Sequence, residues 1–467
     1  MHISLAGAIA ALVPAAALAA SYDLTSATDL RVLHGLGPTD PVTVATANDA
    51  SDDDATVITD AMDAASWGDV LTLPAGTFHL NTTAYLESGI ELRGAGATST
   101  SVAANFGGSS RLLEIRDESG VTVSNMRLKS HNTTTGLDHI VYVRDSTNID
   151  IEDCIIQRFR RAGVYFNEVT NGRVFDTWFK DAVCYDYDDN AINCAAYGGL
   201  GYGITYTNGC DTGRVDGCEF TGPEIRHGVV IQGSKEEYPA GSGQYIYPNP
   251  SHGIIVKYNY FEDNQQDSID LHGYGEYDNR IECNEIYGPS DPNRDVEGRG
   301  IGLGEYAHGS AGTGNRIQFN KIVNCRYGIH VLNDTGDVTI KYNLIIGSKR
   351  YGVYIQEGSN VEMRDNEIYD SRKWGVLVED CPGFHMDNAS LSGNLIVNNG
   401  LKSASAFGGV RIESIAANNG AIIRDNSICS NQGTDLDTGT VTGTFTNNAN
   451  CSPIPSPYPD PPANCTP

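Results

Sequence analysis

Two short stretches of this sequence gather groups able to move protons and hold acidic ligands: Arg226-His227-Gly228 and Asp267-Ser268-Ile269-Asp270-Leu271-His272. A histidine beside a carboxylate can serve as a base, a phenol can protonate a leaving oxygen, and a guanidinium can neutralise a carboxylate. Tyr274, Tyr277 and Arg280 follow directly, and Arg299 and Glu305 stand farther on. Two reactions use such a set. β-Elimination from a uronate would take His272 as base, Asp270 to orient it, Tyr274 or Tyr277 as acid, and Arg226, Arg280 or Arg299 as neutraliser. Glycoside hydrolysis needs two carboxyls at a defined separation, which Asp267, Asp270 and Glu305 would have to supply.

What could bring these residues together is a repeat. From about residue 110 the chain is self-similar at intervals of roughly 23 to 25 residues, stretched in places by insertions, as expected of a solenoid. Gly163-Val164-Tyr165-Phe166 recurs as Gly203-Ile204-Thr205-Tyr206, Gly228-Val229-Val230-Ile231, Ser268-Ile269-Asp270-Leu271 and Gly300-Ile301-Gly302-Leu303. It continues through Gly328-Ile329-His330-Val331, Gly352-Val353-Tyr354-Ile355, Gly375-Val376-Leu377-Val378 and Gly409-Val410-Arg411-Ile412. Asn259, Asn284, Asn320, Asn343, Asn366, Asn394 and Asn426 recur in step. Asparagine tolerates the left-handed corner conformation, and its amide can bond the asparagine of the next coil. The pattern predicts a single-stranded parallel β-helix, all-β, in which each coil buries its core against its neighbours. A helix over 56–65 would cap the stack.

Strand alternation turns the repeats into vertical columns about 4.8 Å apart per coil. The position before the glycine reads Tyr202, His227, Asp267, Arg299, Tyr327, Tyr351 and Trp374. The first outward position reads Tyr165, Thr205, Val230, Asp270, Gly302, His330, Tyr354, Leu377 and Arg411, and His272 falls in the second. Aromatic platforms with hydrogen-bonding neighbours suit sugar rings, so Tyr327, His330, Tyr351 and Trp374 join Asp267, Tyr277, Arg280, Arg299 and Glu305 as candidate substrate contacts. Placing Asp270 and His272 inside the core would remove the site.

With its helix at 56–65, the run Leu73-Pro74-Ala75-Gly76-Thr77-Phe78 and the repeats, the chain resembles the secreted, pectate-lyase-like right-handed parallel β-helix superfamily over roughly residues 50–450. Members of that superfamily include polysaccharide lyases, epimerases and glycoside hydrolases. The Asp270-Leu271-His272 element resembles the Asp-x-His element of mannuronan epimerases and related uronate-acting enzymes, and Arg226-His227-Gly228 is similar to another recurring piece there. Leu271 stands where that element has proline, and Asp267 where it has tyrosine. The paired Asp, Gly-His-Gly and Arg-Ile-Lys set of polygalacturonases is absent from the sequence.

Composition narrows the partners. The 467 residues carry 31 Lys and Arg against 59 Asp and Glu, a net charge of −28. That argues against a nucleic-acid binder, whose phosphate affinity comes from clustered cations. It also repels an acidic glycan at long range, although salt screens beyond about 8–10 Å. The apolar run at residues 1–20 ends in small residues and reads as a secretory signal peptide rather than an anchor, and no later segment could span a bilayer. Sequons at Asn81, Asn132, Asn333, Asn388, Asn450 and Asn464 and eleven cysteines suit a secreted glycoprotein with disulfides, with Cys184–Cys194 and Cys451–Cys465 as local pairs. Cys154, Cys218 and Cys283 read as buried thiols. The expected organisation is a signal peptide at 1–20, cap and first coils at 21–109, the β-helix at 110–450 and a Pro-rich tail at 451–467. The partner would be a polysaccharide, with no nucleic acid and no membrane. No cofactor is required; acidic loops such as 185–189 offer calcium ligands without an EF-hand pattern, and the metal is left unassigned. A third reading is a carbohydrate-binding β-helix without turnover.

Overall fold

The computed structural model describes residues 54–130, 136–183, 200–234, 249–273, 275–289, 298–304, 311–333, 335–386, 393–403, 406–413, 418–446 and 448, together with the backbone of the short strands Ser21–Asp23, Glu236–Glu237 and Tyr245–Ile246. Each coil contributes three short strands, which stack on their counterparts in neighbouring coils as three long sheets: among the described residues, a front sheet of 13 strands, a second sheet of 15 that includes Arg280–Glu282, and a third sheet of 13 that includes Tyr260–Glu262. Pairing along these sheets is parallel, which only a solenoid path allows without crossover helices. Helix α1, Asp54–Ala64, lies against the first coils and buries Ala55, Ile58, Ala61 and Met62. It fulfils the capping role expected near residues 56–65. Its Asp54 carboxylate also accepts a 2.6 Å hydrogen bond from the His79 backbone N–H.

The sheet that matters for function is here called the front sheet. Its middle strands are β1 Tyr202–Thr207, β2 His227–Ile231, β3 Ile269–Leu271, β4 Arg299–Leu303, β5 Tyr327–Val331, β6 Tyr351–Ile355 and β7 Val376–Val378. Their register is the one the repeat implies: Val230 faces Asp270, Asp270 faces Gly302, Gly302 faces His330, and His330 faces Tyr354. Alternation sends Val229, Ile231, Ile269, Leu271, Ile301 and Leu303 into the continuous apolar interior. The recurring glycine has a steric cause. A Cβ on Gly228 would lie 2.5 Å from the Phe261 ring, and one on Gly352 would lie 2.4 Å from Ile368. The coil is so narrow there that a side chain of the third sheet occupies the space, and the residue before the glycine is turned outward.

At the corner between the second and third sheets the asparagines form a buried ladder. Asn320 Nδ2 donates to Asn343 Oδ1 at 3.0 Å, and Asn343 Nδ2 donates to Asn366 Oδ1 at 3.0 Å. The same oxygens accept the backbone N–H of the asparagine on the neighbouring coil, at 3.0 Å in both cases. The left-handed corner itself falls one residue earlier than the sequence suggested, on Tyr258, Phe319, Tyr342, Asp365 and Asp425, with φ of 57°, 59°, 56°, 50° and 58°. Each asparagine must keep its amide inside the stack to reach the next, so the preceding residue turns the chain.

Cys154, Cys210, Cys218, Cys325 and Cys381 are buried free thiols, and burial pushes Cys154 and Cys218 up to about 12. Cys283 departs from the expected free thiol in being disulfide-bonded; Cys429 is also in a disulfide. Residues 1–20, the loop 185–189, the tail 451–467 and the pairs Cys184–Cys194 and Cys451–Cys465 lie outside the described residues.

Replacing one ladder member leaves buried donors and acceptors on two coils unmatched, each at a cost of about 1–3 kcal/mol. Asn343→Ala is therefore expected to lose at least about 2 kcal/mol, read as a lower urea midpoint at unchanged circular dichroism.

Candidate functional site

Three consecutive coils bring the two sequence stretches together on the outer side of the front sheet. Asp270 points away from the interior that Ile269 and Leu271 fill, yet it is only 2% exposed, with His227 at 4%, Asp267 at 2% and His272 at 8%. Asp270 and His272 thus lie outside the apolar interior, although their polar groups are buried where an exposed face was expected. Such burial is tolerable only where charges are paired and hydrogen-bonded.

The pairing is specific. The Asp270 carboxylate Oδ2 lies 2.7 Å from His272 Nδ1 and 3.8 Å from His227 Nδ1. Arg299 Nη1 donates to Asp267 Oδ2 at 3.0 Å, and Arg226 Nε donates to Gln266 Oε1 at 2.6 Å. Gly302 makes room for this arrangement, because a Cβ there would come 2.5 Å from Asp267 Oδ2 and 3.2 Å from Arg299 Nη1. Tyr202 packs edge-on against His227 with ring centroids 5.0 Å apart. His227, Asp267 and Asp270 present ligand atoms all within 4.8 Å of one another.

Electrostatics sets the proton positions. Burial alone would raise Asp270, but the neighbouring His272, then His227 and Arg299, hold its carboxyl down at about 2. An ionised Asp270 can only accept, so His272 donates to it from Nδ1, and this bond fixes the orientation of the ring. Burial lowers His227 to about 3, outweighing Asp270 and reinforced by Arg226 and His272, so it stays a neutral imidazole at neutral pH.

Toward the C-terminus the same face becomes aromatic. The His330 and Tyr354 rings stack at 4.6 Å, Tyr327 and Tyr351 at 5.8 Å, and Trp374 is buried beside Tyr354 and Leu377. Beside this column runs a second one. The backbone N–H of Arg350 bonds the Arg326 carbonyl, and that of Lys373 bonds the Arg350 carbonyl, so three cations stack one per coil. Their side chains reach the aromatics: Arg326 lies 5.4 Å from the Tyr327 ring centroid, Arg350 Nη1 is 3.3 Å from the Tyr327 hydroxyl, and Lys373 Nζ is 5.1 Å from the Tyr351 ring centroid. This cationic ladder was missed, although Arg326-Tyr327-Gly328, Arg350-Tyr351-Gly352 and Lys373-Trp374-Gly375 repeat a cation–aromatic–glycine triplet that Arg226-His227-Gly228 begins.

Some expected members lie elsewhere. Arg280 is exposed on the second sheet, in register with Ile255 and Arg316. Tyr277 sits at the corner leading to that sheet, stacked on His252 at 4.5 Å. Neither belongs to the cluster around Asp270. Tyr274 and Glu305 lie outside the described residues.

Fold and site together define a class. Residues 244–428 match the family model described as right handed beta helix region, and the chain is a right-handed parallel β-helix with a buried polar cluster on one outer face. No curated protein matches it in sequence. Among solved structures it is similar to an alginate lyase from a Paenibacillus species, with 15% identity over 62% of this chain and 92% of that one and a TM-score of 0.47. It is similar to the A-module of the mannuronan C-5 epimerase AlgE4 of Azotobacter vinelandii, with 14% identity over 87% and 98% and a TM-score of 0.40. It is also similar to PfbA, a surface adhesin of Streptococcus pneumoniae, with 15% identity over 86% and 90% and a TM-score of 0.47. At these identities the likeness is one of fold.

Removing one partner of a buried ion pair leaves an uncompensated charge, at about 3–5 kcal/mol. Arg299→Ala is expected to destabilise by about 3 kcal/mol, because Asp267 is left buried beside Asp270. The double variant Asp267→Asn/Arg299→Met should recover most of that loss, which a urea-unfolding cycle on the four proteins would measure.

Proposed function

We propose that the protein is a secreted enzyme that cleaves an acidic polysaccharide by β-elimination, with His272 as the base. The observation that carries this reading is the state of the two buried carboxylates: Asp270 is held by His272, and Asp267 by Arg299. A hydrolase needs one carboxyl kept protonated to donate to the leaving oxygen, and the low pKa of Asp270 does not suit it to that task. An imidazole oriented by an ionised aspartate suits removal of a carbon-bound proton beside a carboxylate.

The cationic ladder supports the acidic character of the substrate. Net charge −28 disfavours a polyanion at long range, yet Arg326, Arg350 and Lys373 line one edge of the aromatic column and act within the screening distance. A glycan lying along the front sheet would set its ring faces on the partly exposed Tyr327 and Tyr351 and its carboxylates toward the ladder. The apolar segment at residues 1–20 and the sequons, of which Asn81 is exposed, support export.

The test follows ultraviolet absorbance and reducing ends together on a panel of acidic and neutral polysaccharides. Both signals are expected to rise with an acidic glycan and to vanish in His272→Ala. Reducing ends without absorbance would make the protein a hydrolase and overturn the proposal. Silence in both, with glycan still bound by the wild type and by His272→Ala, would make it a binding protein. Arg350→Gln should raise KM for the acidic glycan by roughly fivefold with kcat little changed, the scale of about 1 kcal/mol for a partly exposed charge contact.

A further inference from the structure

The buried cluster contains more than the elimination mechanism uses. His227 is 4% exposed, and neither Nδ1 nor Nε2 has a hydrogen-bond partner. A buried imidazole normally satisfies at least one of its nitrogens. Asp270 Oδ1 is likewise buried and without a partner, while Oδ2 of the same carboxylate is taken by His272. Asp267, on the same coil as Asp270, brings a third ligand atom, and all three lie within 4.8 Å of one another.

We propose that His227, Asp267 and Asp270 form a binding site for a single first-row divalent metal ion, of the zinc or manganese type. Three ligands that close converge on one point, and a two-carboxylate, one-imidazole set leaves coordination positions open for an exogenous oxygen. The imidazole selects against calcium and magnesium, which take oxygen ligands. The surrounding contacts have the form of an outer shell: His272 donates to Asp270 and Arg299 donates to Asp267, which orients both carboxylates. The ion would also account for a gap in the neutralising role. Arg226 is engaged by Gln266 and Arg299 by Asp267, so a cation beside Asp270 supplies positive charge that these guanidiniums have already committed.

The site rests on its own geometry and not on the elimination reading, and its test reads binding alone. The full chain, stripped with chelator, would be titrated calorimetrically with zinc chloride, manganese chloride and calcium chloride. Crystals soaked in the zinc and manganese salts would be examined by anomalous diffraction. One zinc or manganese ion per chain is expected, with an anomalous peak between His227, Asp267 and Asp270. Affinity should fall at least tenfold in His227→Ala and in Asp270→Asn, and should be unchanged in His252→Ala, which removes an imidazole on the second-sheet side of the coil. His227→Gln serves as the second variant if His227→Ala does not fold, with thermal melting as the check. The proposal is overturned if neither metal binds, if binding survives loss of His227, if the peak lies elsewhere, or if calcium binds as tightly. Metal binding without any absorbance change on acidic glycans would sink the elimination reading and leave the metal site standing.

Discussion

A coil of this chain has no stable existence by itself, and the hydrogen bonds between coils are the constraint on which everything else depends. Parallel strands of three residues make too few contacts to choose their own register. The buried asparagine ladder makes the choice for them. A slip of one residue between Asn320 and Asn343 would break two hydrogen bonds to one oxygen and bury the orphans. Register fixed at that corner is transmitted around the coil to the front sheet, where Val230, Asp270, Gly302 and His330 fall into one column.

The polar cluster exploits that fixed register in a way an isolated strand could not. Asp270 and His272 come from one strand and its exit, His227 from the coil on one side, and Arg299 from the coil on the other. Each charged group alone would be an uncompensated buried charge; stacked within a few ångströms, carboxylates and cations compensate one another. Gly302 shows how tightly the neighbouring coil is adapted, since even a methyl group would intrude on the Asp267–Arg299 pair. Replacement of the usual pre-strand glycine by Ser268 in the central coil belongs to the same local departure from the repeat.

Much of this was legible from residue order. Periodic glycine and asparagine identified the solenoid, and alternation within Gly-x-x-x strands assigned the columns to which Asp270, His330 and Tyr354 belong. Two kinds of information were not there. Burial of His227 and Asp270 depends on neighbouring coils and cannot be read from one strand. Arg280 and Tyr277, close to His272 in sequence, turn the corner to another sheet, because a short connection in a triangular coil changes the facing direction within a few residues. The cationic ladder shows in the sequence only as a cation–aromatic–glycine triplet, and Arg326 and Arg350 fall just outside the strands that the glycine repeat marks.

The glycine that a narrow coil demands has an effect on heredity as well as on packing. Where the interior leaves no room for a Cβ at that position, the residue before the glycine faces outward, and the cation–aromatic pair that it belongs to would be copied with the coil in a duplication. The outer face is thereby a ruler: gaining or losing one coil lengthens or shortens the outward aromatic–cation track by a single fixed step of about 4.8 Å and leaves the polar cluster of the central coils untouched.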